Sequence, residues 1–567
     1  MSSILIRERP LLTDPENFQG LSPLFAKILA RRGVESAQQL ELKLKHLLVP
    51  KMKGLDQAIA MIDVAIDQQH KIVIVGDYDA DGATSTALMI LALREMGANV
   101  EYLVPDRFKY GYGLTPAIAD LVFVTYTPDL LITVDNGISS HAGVEQAQAH
   151  GMQVIITDHH LTTKDTPKAE AVVNPNQLGC DFPSKALAGV GVAFYVLANL
   201  SSQRAKQQKS TAKMTQYLDL VALGTYADVA SLDYNNRILV DSGVKRIQSG
   251  QCRAGILALL DIAGRDPAQL KAQDLGFVIG PRINAAGRME TMDIGIECLL
   301  ADTLETAYPL AQQLNDLNLE RRQVEAEMKQ DALSAMENLN IDQENMPSAL
   351  IMFEEHWHQG VIGIVAGRLK EQFHRPSIVF AADKDGIHIK GSARSIDGIH
   401  IRDCIEKVAE QHPHLVSFFG GHAAAAGLTI KQEHFEEFKQ VFEQLIDETD
   451  DEIFQVSLST DGELSPEDFK VSTVQQIEQL GPWGQKFPQP IFQGQFKVVE
   501  HRWLKDVHLK LKLALDNGQI VEAIAFNALD KFDYDSTQSH VNLVYELDKN
   551  EFRGHLSVQL RVLYLAH

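Results

Sequence analysis

Cysteine is scarce in this chain of 567 residues: Cys180, Cys252, Cys298 and Cys404 stand apart, with no Cys-x-x-Cys pair. That pattern argues against a disulfide framework and against a structural zinc site. Long apolar runs are missing too. The longest, around residues 188–200, is too short and too glycine-rich to span a bilayer. Residues 1–9 lack the apolar stretch and small-residue cleavage site of a secretory signal, so the cytoplasm is the expected location, with no membrane partner. Basic residues are outnumbered, 52 Lys and Arg against 75 Asp and Glu, for a net charge of −23. Global charge therefore argues against indiscriminate nucleic-acid binding. A local basic channel could still exist, and bound cations would offset part of the acidity.

What is there suits a globular protein of several domains, since the chain is too long for one ordinary core. No internal repeat is evident. Residues 1–50 read as a short helical leader. From about Ala58 helices and strands alternate as in an α/β sheet, with strands expected at 71–75, 100–104, 130–134, 154–157 and 171–173. Helices are expected at 84–96, 141–150 and 190–200, and the polar, basic stretch 201–214 reads as a surface insertion. This first α/β domain is placed at 51–303. A connecting helix follows over 304–345, then a second α/β domain over 346–450, with strands at 349–353 and 377–380. The section 451–567 changes character. Its alternating segments at 496–499, 508–513, 521–526, 541–545 and 556–563, with a turn at Asp516-Asn517-Gly518, suggest a small five-stranded barrel such as an OB-fold.

The chemistry concentrates at strand ends. Asp77-Tyr78-Asp79-Ala80-Asp81-Gly82 follows the apolar run Lys71-Ile72-Val73-Ile74-Val75-Gly76 directly. Open α/β sheets bind ligands at the C-terminal ends of their strands. Three carboxylates this close repel one another, and a divalent cation is the simplest remedy. An EF-hand loop begins similarly, but its twelfth position needs a bidentate Glu, and here that position is Leu88. Further strands end in Asp135-Asn136-Gly137 and in Asp158-His159-His160, and Asp228 closes another apolar segment. Taken singly, each suits a cap, a turn or a core histidine. Their common position after apolar segments makes them one constellation.

Together these motifs resemble the DHH phosphoesterase superfamily, and within it the RecJ family of single-stranded-DNA exonucleases, over essentially the whole length. The resemblance implies two divalent metals held by Asp79, Asp81, Asp135, His159 and Asp228. Asp135 is the natural bridging carboxylate. It places Asp77 and His160 beside them, supporting ligands or facing phosphate. Many superfamily members have a ligand histidine where this chain has Val75, and RecJ-like chains carry the extra aspartate at Asp77. Carboxylates mixed with imidazole suit Mn2+, and Mg2+ is also compatible.

Phosphate contacts follow from further motifs. Gly280-Pro281-Arg282-Ile283-Asn284-Ala285-Ala286-Gly287-Arg288 resembles a RecJ motif, which nominates Arg282, Asn284 and Arg288. The segment from Trp357 to Leu369 resembles the DHHA1 substrate-binding module and contributes His358 and Arg368. Ser392, Arg394 and Ser395, with Gly421 and His422, complete that module. Gly420-Gly421-His422 is expected to precede a helix of small residues and to cradle an anion with its amides. On the barrel, Lys510 and Lys512 project from one face of a strand, while Trp503 or Phe526 could stack a base. The resemblance implies a monomeric 5′→3′ exonuclease that degrades single-stranded DNA to mononucleotides, with single-strand-binding protein and a helicase as partners. Two rival readings are a DHH phosphodiesterase of short RNA or cyclic dinucleotides and a replication-associated DNA-binding protein with a dead metal site.

Overall fold

The structure is a computed structural model and describes residues 4–162, 165–338, 346–532 and 534–566. It divides into two compact units. The larger comprises Glu8–Asn315 with Ser459–His567, and the smaller comprises Asp316–Leu458 with the N-terminal residues up to Arg7.

The larger unit is organised by a parallel sheet whose strands lie in the order Asn99–Leu103, Lys71–Gly76, Leu130–Val134, Gln153–Thr157 and Ala171–Val173. The three central strands are buried along almost their whole length, which is why they read as continuous apolar runs without alternation. Strand order reverses at Lys71–Gly76, so a crevice opens between its C-terminal end and that of Leu130–Val134. The register brings Gly76 opposite Val134, and Val134 opposite Thr157. The next residue of each strand is an aspartate, and Asp77, Asp135 and Asp158 therefore leave the sheet side by side. Helix Ala80–Glu95 follows the first strand and is buried almost all round, which its small residues Ala80, Gly82, Ala83, Thr84, Ser85 and Ala87 allow.

Five further strands of this unit form a closed barrel in the order Phe492–Leu504, His508–Ala514, Ile520–Ala525, His555–Ala566 and His540–Phe552. Along His508–Ala514, Leu509, Leu511 and Leu513 point into the barrel, and the intervening lysines point outward. The contact between Ile520–Ala525 and His555–Ala566 is parallel and short; the other contacts are antiparallel.

The smaller unit carries a mixed sheet in the order Phe418–Gly421, Ala425–Lys431, His388–Arg394, Ser377–Ala382 and Leu350–Phe353. Helices Ile401–Gln411 and Phe435–Asp447 contribute Ile405, Val408, Phe438, Phe442 and Ile446 to a core shared with Phe380 and Ile389. The long helix spans Leu304–Asn338; the rest of the expected 304–345 segment lies outside the described residues.

Three expectations are corrected. The first fifty residues are no helical leader: they hold the strand Leu5–Glu8, one helix, Pro23–Ala30, and short single turns. Arg32 from this segment is buried against Asp461, with Nη1 to Oδ1 at 2.7 Å and Nη2 to Oδ2 at 3.0 Å, so the segment from Glu8 onward is part of the larger unit. Residues 201–214 are a surface insertion only in part: residues 205–208, 210, 211 and 213 are exposed, but the segment is anchored to the body. Helix Gly189–Lys206 continues into them, because Arg204 is buried on Asp63 and Ser201 bonds Ala212. Finally, the small-residue run after His422 is a strand and not a helix. Ala425–Lys431 pairs with His388–Arg394, and cross-strand packing of Leu428 and Ile430 overrides the helical propensity of the alanines. Among the described residues, no helix is long and apolar enough to cross a membrane.

Candidate active site

The aspartates of the crevice are held by backbone amides. Asp79 caps helix Ala80–Glu95, its Oδ1 accepting from Gly82 N–H at 2.9 Å. Asp81 lies in the first turn of that helix and is almost fully buried. Its Oδ2 accepts from Gly189 N–H at 2.6 Å and its Oδ1 from Val190 N–H at 2.9 Å, at the N-terminus of helix Gly189–Lys206. A side chain at Gly189 is excluded, because its Cβ would come within 2.6 Å of Asp135 Cβ. Asp77 is buried, with Oδ1 accepting from Tyr78 N–H at 2.8 Å. Asp135 sits at φ +61, in the left-handed region. Asp228 caps the end of helix Leu218–Ala227; the apolar segment before it is therefore helical.

Asp158 organises the pair of histidines. Its Oδ1 accepts from His159 N–H at 2.7 Å and from His160 N–H at 3.1 Å, and it lies 2.7 Å from His160 Nδ1. Its Oδ2 accepts from Ile138 N–H at 2.8 Å. Asn176 and Asn174 bond the carbonyls of His159 and His160. This arrangement leaves His159 Nε2 aimed at the carboxylates: 3.1 Å from Asp135 Oδ1, and 3.9 Å from both Asp81 Oδ2 and Asp228 Oδ2. Tyr112 completes the rim, its hydroxyl 3.3 Å from His160 Nε2. The orienting role of Asp158, with Tyr112, the Gly189 and Val190 amides and the two asparagines, escaped the sequence. Asp158 alone had a signal, its place in line with Asp77 and Asp135 at adjacent strand ends.

The electrostatics are those of an unbalanced cluster. Burial, then the charge of Asp79, pushes the Asp81 carboxyl up to about 7. Burial and neighbouring aspartates also hold Asp135 and Asp228 well above the usual carboxylate range. Burial and the His160 charge bring His159 down to about 4, so it is a neutral imidazole. For His160 burial opposes the cation, but the hydrogen bond and charge of Asp158, aided by Asp77 and Asp228, lift it to about 9. Oxygens of Asp77, Asp79 and Asp135 lie within 4.8 Å of one another. Like charges at such a distance repel by about 3–4 kcal/mol per pair at an effective dielectric near 20. Three pairs approach the whole stability of a domain, about 5–15 kcal/mol. Full ionisation therefore calls for a cation.

The donor set fits one. His159 Nε2 and Asp135 Oδ1 are buried without a hydrogen-bond partner, although they face each other. Among the described residues, three groups could each hold an ion: Asp77, Asp79 and Asp135; Asp81, His159 and Asp228; and Asp135, His159 and His160. Asp135 belongs to two of them. Neutral imidazole and carboxylate oxygen are the ligand types that Mn2+ accepts readily.

The other nominated residues divide by whether their polar groups are already used. In helix Gly280–Met289, Asn284 Oδ1 accepts from Ala80 N–H at 2.7 Å and so braces the aspartate loop. Arg282 Nη1 donates to Val278 O at 2.6 Å and Nε to Asn315 Oδ1 at 3.1 Å, and Arg288 is half-buried in the last turn. In the smaller unit, Arg394 Nη1 donates to Ser392 Oγ at 3.0 Å and Ala393 O at 2.8 Å. Desolvation lowers the pKa of Arg394, and no carboxylate among the described residues pairs with it. Arg368, by contrast, is paired with Glu325 at 2.8 Å and Glu371 at 3.2 Å. The buried Ser395 hydroxyl donates to Ile399 O at 2.8 Å, within its own turn. His358 Nδ1 accepts from Gly360 N–H at 3.1 Å. Gly421, at φ +145, and the exposed His422 form a strand turn closed by His422 N–H to Ala425 O at 2.8 Å, so no helix terminus backs them. On the barrel, Lys510 meets Glu522 at 2.8 Å and Lys512 meets Glu500 at 2.6 Å. Trp503 is half-buried, and the exposed Phe526 ring lies edge-on to His508.

A parallel sheet that delivers aspartates and an Asp-His-His turn to one end defines the DHH class, and residues 71–225 match the model of the DHH family, N-terminal domain. Residues 346–448 match the DHHA1 domain and residues 460–564 the RecJ OB domain. Within that class the chain belongs to the RecJ family. It is 46% identical to the single-stranded-DNA-specific exonuclease RecJ of Dickeya dadantii, over 99% of this chain and 98% of that one. The crystal structure of RecJ in complex with Mn2+ from Thermus thermophilus is similar at a TM-score of 0.84 and 29% identity, covering 99% of this chain and 80% of that one. The Mg2+ complex from the same organism is similar at a TM-score of 0.78 and 27% identity, covering 99% and 78%.

Proposed function

We propose that this protein is a metal-dependent exonuclease that hydrolyses single-stranded DNA to 5′-mononucleotides in the 5′→3′ direction, in DNA repair and recombination. One observation carries the chemistry: buried His159 Nε2 and Asp135 Oδ1 lie 3.1 Å apart without a hydrogen bond, amid carboxylates whose pKa values are raised. The substrate class rests on the names of the RecJ relatives, and the polarity on resemblance to that family. Asp77, Asp79, Asp81, Asp135, His159 and Asp228 would hold two divalent ions, Mn2+ or Mg2+, with Asp135 shared. Bound there, such ions supply a water of lowered pKa and stabilise charge on the leaving oxygen.

The chain's own groups set the rest. Two amides fix the Asp81 carboxylate, and Asp158 holds the His160 ring at its Nδ1. In this reading His160 faces phosphate, joined by the Arg282 and Arg288 guanidinium groups. In the smaller unit, Arg394 with Ser392 Oγ is the strongest phosphate contact, because a largely desolvated guanidinium without a carboxylate partner favours an anion. His422 would meet the terminal phosphate. The protein would act as a cytoplasmic monomer, with single-strand-binding protein and a helicase supplying its substrate.

Digestion of end-labelled single-stranded DNA, duplex DNA and RNA with Mn2+ tests this reading. Mononucleotides released from the 5′ end of single-stranded DNA are expected. Release from the 3′ end, or a preference for short RNA, would overturn it.

A further inference from the structure

The turn that carries Asp228 is gripped by a segment far along the chain. Tyr226, two residues before Asp228, donates from its hydroxyl to Trp483 O at 2.7 Å. Leu232, four residues after it, donates its N–H to Gln485 O at 2.8 Å. Between these two anchors Val229 sits at φ +58, a strained conformation for a β-branched residue that persists only where surroundings impose it. Gly484 closes the fit: a Cβ there would lie 2.7 Å from Leu232 Cδ1 and 3.3 Å from Tyr226 Cε2.

The gripping segment is itself fixed to the body. Trp483 and Phe487 are buried and stack at 5.0 Å, and Trp483 Nε1 donates to Ile477 O at 3.1 Å. The Arg32 guanidinium lies 5.2 Å from the Trp483 ring and donates from Nε to Pro488 O at 2.7 Å. Buried Arg237 lies 4.3 Å over Phe487. Such cation–aromatic contacts strengthen when desolvated.

We propose that the segment from Trp483 to Phe487, with Tyr226, is a positioning element for the Asp228 carboxylate, so that residues preceding the barrel tune metal affinity in the crevice. The proposal rests on the reading of Asp228 as a metal ligand. Groups that orient ligands typically change metal affinity about 10–100-fold when removed.

Calorimetric titration of Mn2+ into the full chain, with Tyr226→Phe and Gly484→Ala, tests it. Each variant should weaken Mn2+ binding about tenfold. Each should raise by the same factor the Mn2+ concentration giving half-maximal cleavage, with the rate recovering at saturating Mn2+. Unchanged Mn2+ affinity together with a lowered melting temperature would overturn the proposal, leaving the segment as packing alone. If Gly484→Ala does not fold, Tyr226→Phe, which removes one oxygen, decides. If the parent chain binds no Mn2+, the metal-centre reading itself fails, and that result is distinct from a parent that binds while the variants match it.

Discussion

Two surfaces of the larger unit treat charge in opposite ways. At the end of the parallel sheet, Asp81, Asp135 and Asp228 face the neutral imidazole of His159, with Asp77 and Asp79 beside Asp135. Burial drives the carboxyls of Asp81, Asp135 and Asp228 upward. On the barrel, Lys510 and Lys512 also project in a row, yet each meets a glutamate from a neighbouring strand. The smaller unit repeats the contrast with arginine: Arg394 is largely desolvated without a carboxylate partner among the described residues, while Arg368 is shared by Glu325 and Glu371. Charge that the fold leaves unbalanced is available to a ligand. Charge that the fold has already balanced contributes mainly to solubility and a little to stability.

The largest effect should come from the unbalanced cluster. Asp135→Ala should lower nuclease activity by about 10³-fold or more, since metal stabilisation of the transition state is worth several kcal/mol. Single-stranded DNA binding, followed by fluorescence anisotropy, should persist. Cleavage at the parent rate would remove Asp135 from the centre.

The same cluster predicts how the metal-free protein responds to pH. Asp81 titrates near 3.8 when unfolded and at about 7 when folded, so the folded state binds the proton more tightly. Stability from that proton is complete below pH 3.8 and disappears as pH rises through about 7. In EDTA, urea unfolding should show an Asp81 contribution on the order of 2–4 kcal/mol lost across that window. His159 partly offsets it, because its pKa, lowered from 6.5 to about 4, adds stability as pH rises between those values. Asp81→Asn, which removes the titrating carboxyl, should shrink the loss. A loss as large in Asp81→Asn as in the parent would mean that the buried Asp81 carboxyl does not carry it.

How much of this was legible beforehand depended on whether a feature is local. The central parallel strands read directly because burial on both faces makes them continuous apolar runs, and the aspartates were visible as their terminal residues. The alternation Leu509, Lys510, Leu511, Lys512, Leu513 likewise announced a barrel strand. Pairing across the fold did not read. Nothing near Lys512 in sequence identifies Glu500 as its partner, and nothing near Arg32 identifies Asp461. The alanines after His422 favour helix locally, yet Ala425–Lys431 is held as a strand by partners more than thirty residues away. Asp158 was hidden differently: the Asp-His-His triplet was plain, but only the register shows that its aspartate orients the histidines.

Arginine offers the next sharpest test. Arg394→Gln should raise KM for 5′-phosphorylated single-stranded DNA about 10–100-fold, the value of a hydrogen bond to a charged group. The effect should be smaller on a 5′-hydroxyl end. Arg368→Gln should alter KM by less than about twofold and stability by under about 1 kcal/mol, because its ion pairs are exposed. Equal effects of the two variants would dissolve the distinction between balanced and unbalanced cations.

The barrel lysines should give the smallest change, and they test the comparison from its other side. A lysine that neutralises a DNA phosphate releases a counterion, and removing it lowers the salt slope of binding by about one. Lys510 and Lys512 would have to leave Glu522 and Glu500 to make that contact, exchanging one carboxylate partner for a phosphate. The net gain is then small. Lys510→Gln with Lys512→Gln should weaken single-stranded DNA binding by less than about threefold and leave the slope of log affinity against log salt unchanged. A slope that falls by about two would show that DNA displaces both glutamates, making the barrel strand part of the groove despite its internal pairing.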